Sequence, residues 1–326
     1  MSARYRWTLL RAAAFKLDGG SMFGLIPRVV WSRTCPADER GRITVQHNCL
    51  LLERVDAAGA SAPGPRRVLL EVGTGDKLDA KNREIFDLEN RSIIDALREV
   101  ACPPEEIGAV VVSHLHFDHA GGLTRALRPG EAADWTGPAS SFSGSRGELP
   151  VKRTFPNAAV FTQRREWEDA LANRSVMTRT YFADHLEPIR DQVRLVDSLP
   201  PFGPGSRPGR DERPTIPQEA RETEVLPGIF VFQVPGHTWG QQATRFVDEG
   251  GRSMVFTPDV MPTAWHVGQA YSLAYDVEPF TSTVTRGWFL AQAAERGWTL
   301  CLDHEPGNPI RTVRPNGKGW FDLAEA

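Results

Sequence analysis

SHLHFDHAGG, residues 113–122, decides how the rest of the chain is read. His114, His116, Asp118 and His119 fall within one short stretch, and they account for three of the chain's eight histidines. The candidate ligands sit at i, i+2, i+4 and i+5. On a helix only i and i+4 would share a face, so this spacing makes a poor helical site and a good loop site for two adjacent metals. His114, His116 and Asp118 are expected to line one side of an extended segment, with Asp118 and His119 turned toward a second position. Imidazole and carboxylate together suit Zn²⁺ and similar divalent ions. Immediately upstream, AVVV at 109–112 is a short apolar run suited to a buried strand. The cluster therefore hangs from the end of a core strand, which can hold ligands to the tolerance a metal demands.

The same arrangement recurs along the chain. Residues 42–53 and 67–72 read as strands, the second running into the glycine turn GTGDK. Ile93, Ile94, Leu97 and Val100 give residues 91–100 helical spacing, ended by PPEEIG. Residues 158–163 read as a strand followed by a helical stretch from Arg164 to Asn173, and 283–296 as a further helix. Strands at 229–234 and 253–257 each end at a polar cluster, PGHTWGQ and PDVMPTAWH, and TLCLDHEPG repeats the pattern at 299–307. The second half echoes the first, which predicts two sheets packed face to face with helices outside, in one α/β domain spanning 1–326. Two stretches rich in Gly, Ser and Pro, 129–150 and 199–224, read as surface insertions.

Composition narrows the function classes. The chain of 326 residues is 40% hydrophobic and 24% charged, with a formal net charge of −3 and no basic run interleaved with aromatics. A nucleic-acid partner is not expected. Four dispersed cysteines, Cys35, Cys49, Cys102 and Cys301, read as reduced, buried thiols. MSARYRWTLLRAAAFKLDGG resembles a signal peptide only briefly, because Arg11 and Lys16 break its apolar stretch. No run of eighteen apolar residues occurs. The expectations are a cytoplasmic protein with a small-molecule substrate, no membrane partner and a homodimeric assembly.

The remaining ligands are expected at other strand ends: His237 in PGHTWG, Asp259 in TPDV and His304 in LDHEP. Seven protein ligands with a bridging water or hydroxide fit two metals, with open positions for substrate.

Together, LLEVGTGDK, SHLHFDHAGG, PGHTWGQ, TPDV and DHEP, in that order over roughly residues 7–310, resemble the metallo-β-lactamase superfamily. DGGSMFGLIPRVVW and the long C-terminal half resemble its lactonase-like branch, which includes acyl-homoserine lactonases. The resemblance implies a four-layer αβ/βα sandwich with the site at one edge of the paired sheets. His114, His116 and His237 would hold one metal, Asp118, His119 and His304 the other, and Asp259 would bridge them. The implied cofactors are two divalent ions, Zn first, with Mn, Fe or Co as alternatives. The implied activity is hydrolysis by a metal-bound hydroxide of a lactone or other carboxylic ester, with Asp118 both ligating and moving a proton.

Three positions depart from the family pattern. Glu71 stands where an Asp is usual and is expected to orient the histidine loop. Gln241 replaces the last His of GHTxGH, and Pro262 replaces a Tyr that assists at the substrate carbonyl in acyl-homoserine lactonases. His266, seven residues after Asp259, is the expected replacement for that polar group. Ordinary loop packing is the competing reading for His266. His47 reads as packed or surface-exposed, and His185 as a solvated helix end. Met22, Phe23, Leu25, Ile26 and Trp31 read either as core or as a lid over the substrate. Phosphoester or phosphotriester hydrolysis is the alternative activity; cationic side chains around the site would mark a charged diester, and a neutral triester would need none. A nucleic-acid-processing or non-catalytic binding relative fits less well, because all seven ligands are present and a basic surface is not.

Overall fold

The computed structural model describes residues 3–55, 63–138, 147–174, 180–203 and 206–326. Nine strands form in the first part of the chain: β1 (Arg4–Asp18), β2 (Arg42–Val55), β3 (Arg67–Leu70), β4 (Ala109–Val111), β5 (Thr124–Ala126), β6 (Trp135–Pro138), β7 (Glu148–Arg153), β8 (Ala159–Gln163) and β9 (Val193–Val196). Seven follow: β10 (Thr223–Leu226), β11 (Ile229–Gln233), β12 (Gln242–Val247), β13 (Ser253–Thr257), β14 (Thr299–Leu302), β15 (Ile310–Pro315) and β16 (Phe321–Glu325). One sheet has the order β1-β2-β3-β4-β8-β9 and the other β10-β11-β12-β13-β14-β15-β16. In each, the strands that carry the site pair in parallel, β3 with β4 and β4 with β8 in the first, β13 with β14 in the second.

Alternation along the strands builds the layers. Leu50 and Leu52 of β2, with Val68 and Leu70 of β3, pack against Val231, Phe246, Met254 and Phe256 of the other sheet. Leu51 and Leu69 point the opposite way, into a cluster with Ile93, Leu97 and Trp167 from the helices Ile93–Glu99 and Arg164–Leu171. A strand buried on both faces must be apolar at successive positions, which is what LLL and VLL supply. On the far side, Val284, Trp288 and Phe289 of the helix Pro279–Arg296 cover Phe232, Val255 and Leu300. That helix starts with Pro in its first turn and stops at Gly297, whose φ of 62° ends it in the left-handed conformation. The result is helix, sheet, sheet, helix, the predicted four-layer sandwich.

The structure revises two readings and assigns an element to a stretch that had none. The briefly signal-like N-terminus is the long strand β1, paired with β2 from Arg4 opposite Val55 to Asp18 opposite Arg42. Its interrupting charges find partners off the strand: Arg6 with Glu249 (3.3 Å), Lys16 with Asp87 (2.8 Å), and Arg11 on the Pro306 carbonyl (3.2 Å). Within 129–150, read as an insertion, β6 and the start of β7 join β5 in a three-stranded sheet; residues 139–146 lie outside the described residues. Within 199–224 lie the turn of helix Gln218–Arg221 and the start of β10. There the buried Arg221 guanidinium stacks 4.6 Å from the Trp288 ring, so this segment packs on the C-terminal helix. Residues 204–205 lie outside the described residues. The Arg221–Trp288 contact joins residues far apart in sequence, which the periodicity of its own segment cannot show.

Candidate metal centre

β4 delivers the chain into Ser113–His116, after which Phe117–Ala120 makes one turn of helix. The segment is thus extended only as far as His116, and Asp118 and His119 leave from the helical turn rather than from an extended strand. Glu71, at the end of β3, holds the start of this loop: its Oε1 accepts the Ser113 N–H at 2.5 Å, and its Oε2 lies 3.4 Å from His119 Nδ1. Glu71 does so with a φ of 65°, a left-handed conformation that costs a side-chain-bearing residue roughly 1–2 kcal/mol.

The predicted ligands converge. His114 Nε2 lies 3.1 Å from His116 Nδ1, and His237 Nε2 lies 3.0 Å from the same atom. His119 Nε2 and His304 Nε2 are 3.3 Å apart. Asp259 spans the two groups, with Oδ2 3.1 Å from His237 Nε2 and 3.8 Å from His119 Nε2, and Oδ1 3.4 Å from His304 Nε2. Asp118 faces the second group, 3.9 Å from His119 Nε2 and 3.8 Å from His304 Nε2. All seven are buried.

Asp303 also clusters with His119, Asp259 and His304. Its Oδ2, however, lies 3.1 Å from His119 Nδ1, on the side of the ring turned away from His304. Asp303 thus lies against the outward nitrogen of His119, where a carboxylate can orient an imidazole that offers its other nitrogen to a metal. Asp276 does the same for His237, accepting from Nδ1 at 2.9 Å, and the Gln46 carbonyl does it for His304 at 3.0 Å. Neither Asp303 nor Asp276 had a motif to announce it. Asp303 adjoins a ligand in DHEP, but Asp276 lies in an irregular loop, 39 residues from its partner.

These residues fit metal ions. The tetrahedral edge expected for metal–nitrogen bonds of 2.0–2.1 Å is about 3.3 Å, close to the spacing of the three imidazoles. With outward nitrogens protonated, their lone pairs face one another, an arrangement that a cation relieves. Asp259 Oδ1 is buried and accepts no hydrogen bond. Burial and the neighbouring imidazoles hold His114 and His116 well below the ordinary histidine range, leaving neutral ligand nitrogens. Burial works against charge on Asp259 too, but His237, His304 and His119 outweigh it and keep its carboxyl well below the usual carboxylate range.

Residues 67–304 match the profile of a family described as the metallo-beta-lactamase superfamily. The chain belongs to the metallo-beta-lactamase superfamily. Its His and Asp clusters are suited to holding metal ions. It is 23% identical over 199 residues to the N-acyl homoserine lactonase AiiA of Bacillus thuringiensis subsp. kurstaki, a match covering 61% of this chain and 56% of that protein. The chain thus spans little more than half the length of this curated relative. Among solved structures, a probable metal-dependent hydrolase from Staphylococcus aureus superposes with a TM-score of 0.71 at 22% identity, covering 100% of this chain and 99% of the other. AidC, a dizinc quorum-quenching lactonase, superposes with a TM-score of 0.66 at 15% identity, over 99% and 98% of the two chains. At such identities these superpositions show the shared fold.

The cavity over this superfamily site is lined by His116, Asp118, His237, Asp259 and His304 on its floor. Leu17, Met22, Phe86 and Phe117 form an apolar wall, with Thr180 and Tyr275 as the added polar side chains. His266 is absent from this lining. Its Nδ1 meets the Thr263 hydroxyl at 2.8 Å, its Nε2 meets the Met22 carbonyl at 2.8 Å, and its ring stacks 5.1 Å from Phe23. With both nitrogens occupied it pins the N-terminal segment, and the expected role at a substrate carbonyl is corrected accordingly. The N-terminal cluster divides: Met22 reaches the cavity, Phe23 and Trp31 stack in the core at 5.0 Å, and Leu25 is 90% exposed. His47 is packed as expected, bonded to the Thr74 hydroxyl at 2.9 Å, but His185 is buried rather than solvated. Gln241 is buried and donates to the Val234 carbonyl at 3.1 Å, bracing its loop away from the ligands.

Proposed function

We propose that this protein is a dinuclear metal-dependent hydrolase of lactones or other uncharged carboxylic esters, with zinc as the first choice of ion. His114, His116 and His237 would hold one ion, Asp118, His119 and His304 the other, and Asp259 both. The observation that carries the reading is the pairing of two ligand groups sharing Asp259 with a cavity whose lining includes no Lys or Arg among the described residues. A charged phosphodiester would enter that cavity without a counter-charge, whereas a neutral ester with an apolar acyl portion finds Leu17, Met22, Phe86 and Phe117. The name of the relative AiiA and the description of AidC support a lactone.

Bound divalent ions lower the pKa of water and polarise the acyl oxygen, so nucleophile and electrophile are both supplied at neutral pH. The chain's own residues do the rest. Asp118 lines the cavity, where its carboxylate is placed to take and return a proton during ring opening. Tyr275 supplies the polar group that Pro262 cannot. Burial pushes its phenol up to about 12, against a partly offsetting Ser21 hydrogen bond, so at neutral pH it is a donor for a developing oxyanion.

The test is ring opening of an N-acyl homoserine lactone by zinc-loaded protein, followed as proton release, with His116→Ala as control. Metal-dependent turnover lost in the variant is expected. Absence of turnover across acyl lengths, with ions verified as bound, would reject the lactone. A neutral phosphotriester is the second reading, favoured over a diester by the same lack of cationic lining, and it is assayed in parallel.

The small-molecule reading carries with it the absence of a nucleic-acid or membrane partner. No helix among the described residues is long and apolar enough to cross a membrane.

A further inference from the structure

Glu166 is a carboxylate with no place in the ligand set, yet it is fully buried in the third position of the helix Arg164–Leu171, and among the described residues no salt bridge is made to it. Three donors converge on it. Its Oε1 accepts the backbone N–H of Leu115 at 2.9 Å and faces the Tyr181 hydroxyl at 3.4 Å; its Oε2 accepts the Thr238 hydroxyl at 2.6 Å. Leu115 is the residue between His114 and His116, and Thr238 follows His237. One side chain therefore ties together the two loops that bring three imidazoles to a single point, one loop leaving β4 and the other joining β11 to β12. The fit around it is close: a Cβ at Gly240 would collide with the Glu166 backbone, so only glycine lets the second loop lie against this helix. Tyr181 completes the enclosure, its ring centroid 5.2 Å from that of His116.

We propose that Glu166 is a positioning residue that sets the His116–His237 separation, and with it the affinity of the three-histidine group for its metal ion. The inference rests on the metal-site reading above. A loop held only by its own backbone would let the imidazoles relax apart when no ion is bound. A buried carboxylate accepting from both loops keeps them in place beforehand, which lowers the cost of ion binding. The chemistry needed is one hydrogen bond to each loop, and a glutamine can satisfy both contacts. Its carbonyl can take the Leu115 N–H while its amide donates to the Thr238 oxygen.

The experiment is a competition titration of metal-free protein with zinc against a chromophoric chelator, paired with hydrogen exchange at the Leu115 amide. It compares the wild-type chain with Glu166→Ala, Glu166→Gln and, as a control on the exposed face of the same helix, Glu168→Ala. Glu166→Ala is expected to weaken one of the two binding steps roughly 10–100-fold and to speed exchange at Leu115, while the other step stays put. Glu166→Gln and Glu168→Ala should remain close to wild type in both readouts. A folded Glu166→Ala variant with both steps unchanged overturns the proposal, as does a Glu166→Gln variant as weak as Glu166→Ala, which would make the role one of charge. Should Glu166→Ala fail to fold, Thr238→Val carries the test. A smaller weakening of the same step supports the proposal, and no change rejects it. Failure of the wild-type chain to take up zinc at all would instead reject the metal-site reading.

Discussion

His237 Nδ1 lies 2.9 Å from Asp276 Oδ1, and that contact turns the opposite ring nitrogen toward His116, 3.0 Å away. Asp276 is itself fixed, its Oδ2 accepting the Leu273 N–H at 3.0 Å. The carboxylate thus selects the tautomer in which Nε2 carries the lone pair. In Asp276→Asn, an amide cannot accept from both His237 and Leu273, so one donor is left facing another. Zinc affinity at the three-histidine group should fall roughly 10–100-fold. Competition titration measures it, and an unchanged affinity would show that His237 needs no such partner.

Tyr275 separates binding from chemistry. If its hydroxyl stabilises the developing oxyanion, Tyr275→Phe removes a contact made in the transition state and leaves the cavity wall in place. kcat should fall roughly 10²–10³-fold, as for loss of one oxyanion donor, with KM little altered. A rise in KM at constant kcat would instead make Tyr275 a substrate-binding group.

The contrast between ligands and supports explains what could be read from the chain in advance. All seven candidate ligands are histidines or aspartates at strand ends or in one turn after a strand, so a local pattern exposes them. His304 follows the same rule after β14. Glu166 and Asp276 act across 51 and 39 residues, and nothing near them in sequence differs from an ordinary helix or loop. β1 was hidden for a related reason. Arg6, Arg11 and Lys16 spoil its apolar pattern, and the groups that accommodate them, Glu249, the Pro306 carbonyl and Asp87, are remote. His266 shows the reverse error. Its position near Asp259 suggested chemistry, but Thr263 and the Met22 carbonyl take both of its nitrogens.

His185 gives a pH dependence outside the metal centre. It is buried beside Phe182, ring centroids 5.1 Å apart, and burial, reinforced by the nearby Lys77 charge, pushes its pKa down to about 3. The folded chain therefore holds it neutral, while the unfolded chain protonates it near 6.5. Between those values the unfolded state binds the extra proton, so stability falls as pH falls, by up to about 1.4 kcal/mol per unit. His185→Phe removes the titrating group and keeps an aromatic ring against Phe182. Urea unfolding of metal-free protein from pH 7 to pH 5 should show a shallower loss of stability in the variant. Equal slopes would place the titration elsewhere.

Metal removal should cost stability as well as activity, and Asp259 tells the two effects apart. The buried carboxylate spans both ligand groups with one oxygen accepting no hydrogen bond, so the metal-free site retains a charge that only neighbouring imidazoles offset. An ion present at a thousandfold over its Kd stabilises the folded chain by about 4 kcal/mol. At about 2.1 cal/mol/K of unfolding entropy per residue, a chain of this length would lose roughly 6 °C of Tm for each such ion withdrawn. Calorimetry with and without chelator measures the drop. Asp259→Asn keeps the shape but cannot neutralise an ion, so its metal-free Tm should stay near or above that of wild type while its response to zinc shrinks. If the variant gained as much Tm from zinc as the wild-type chain, Asp259 would not be the shared ligand.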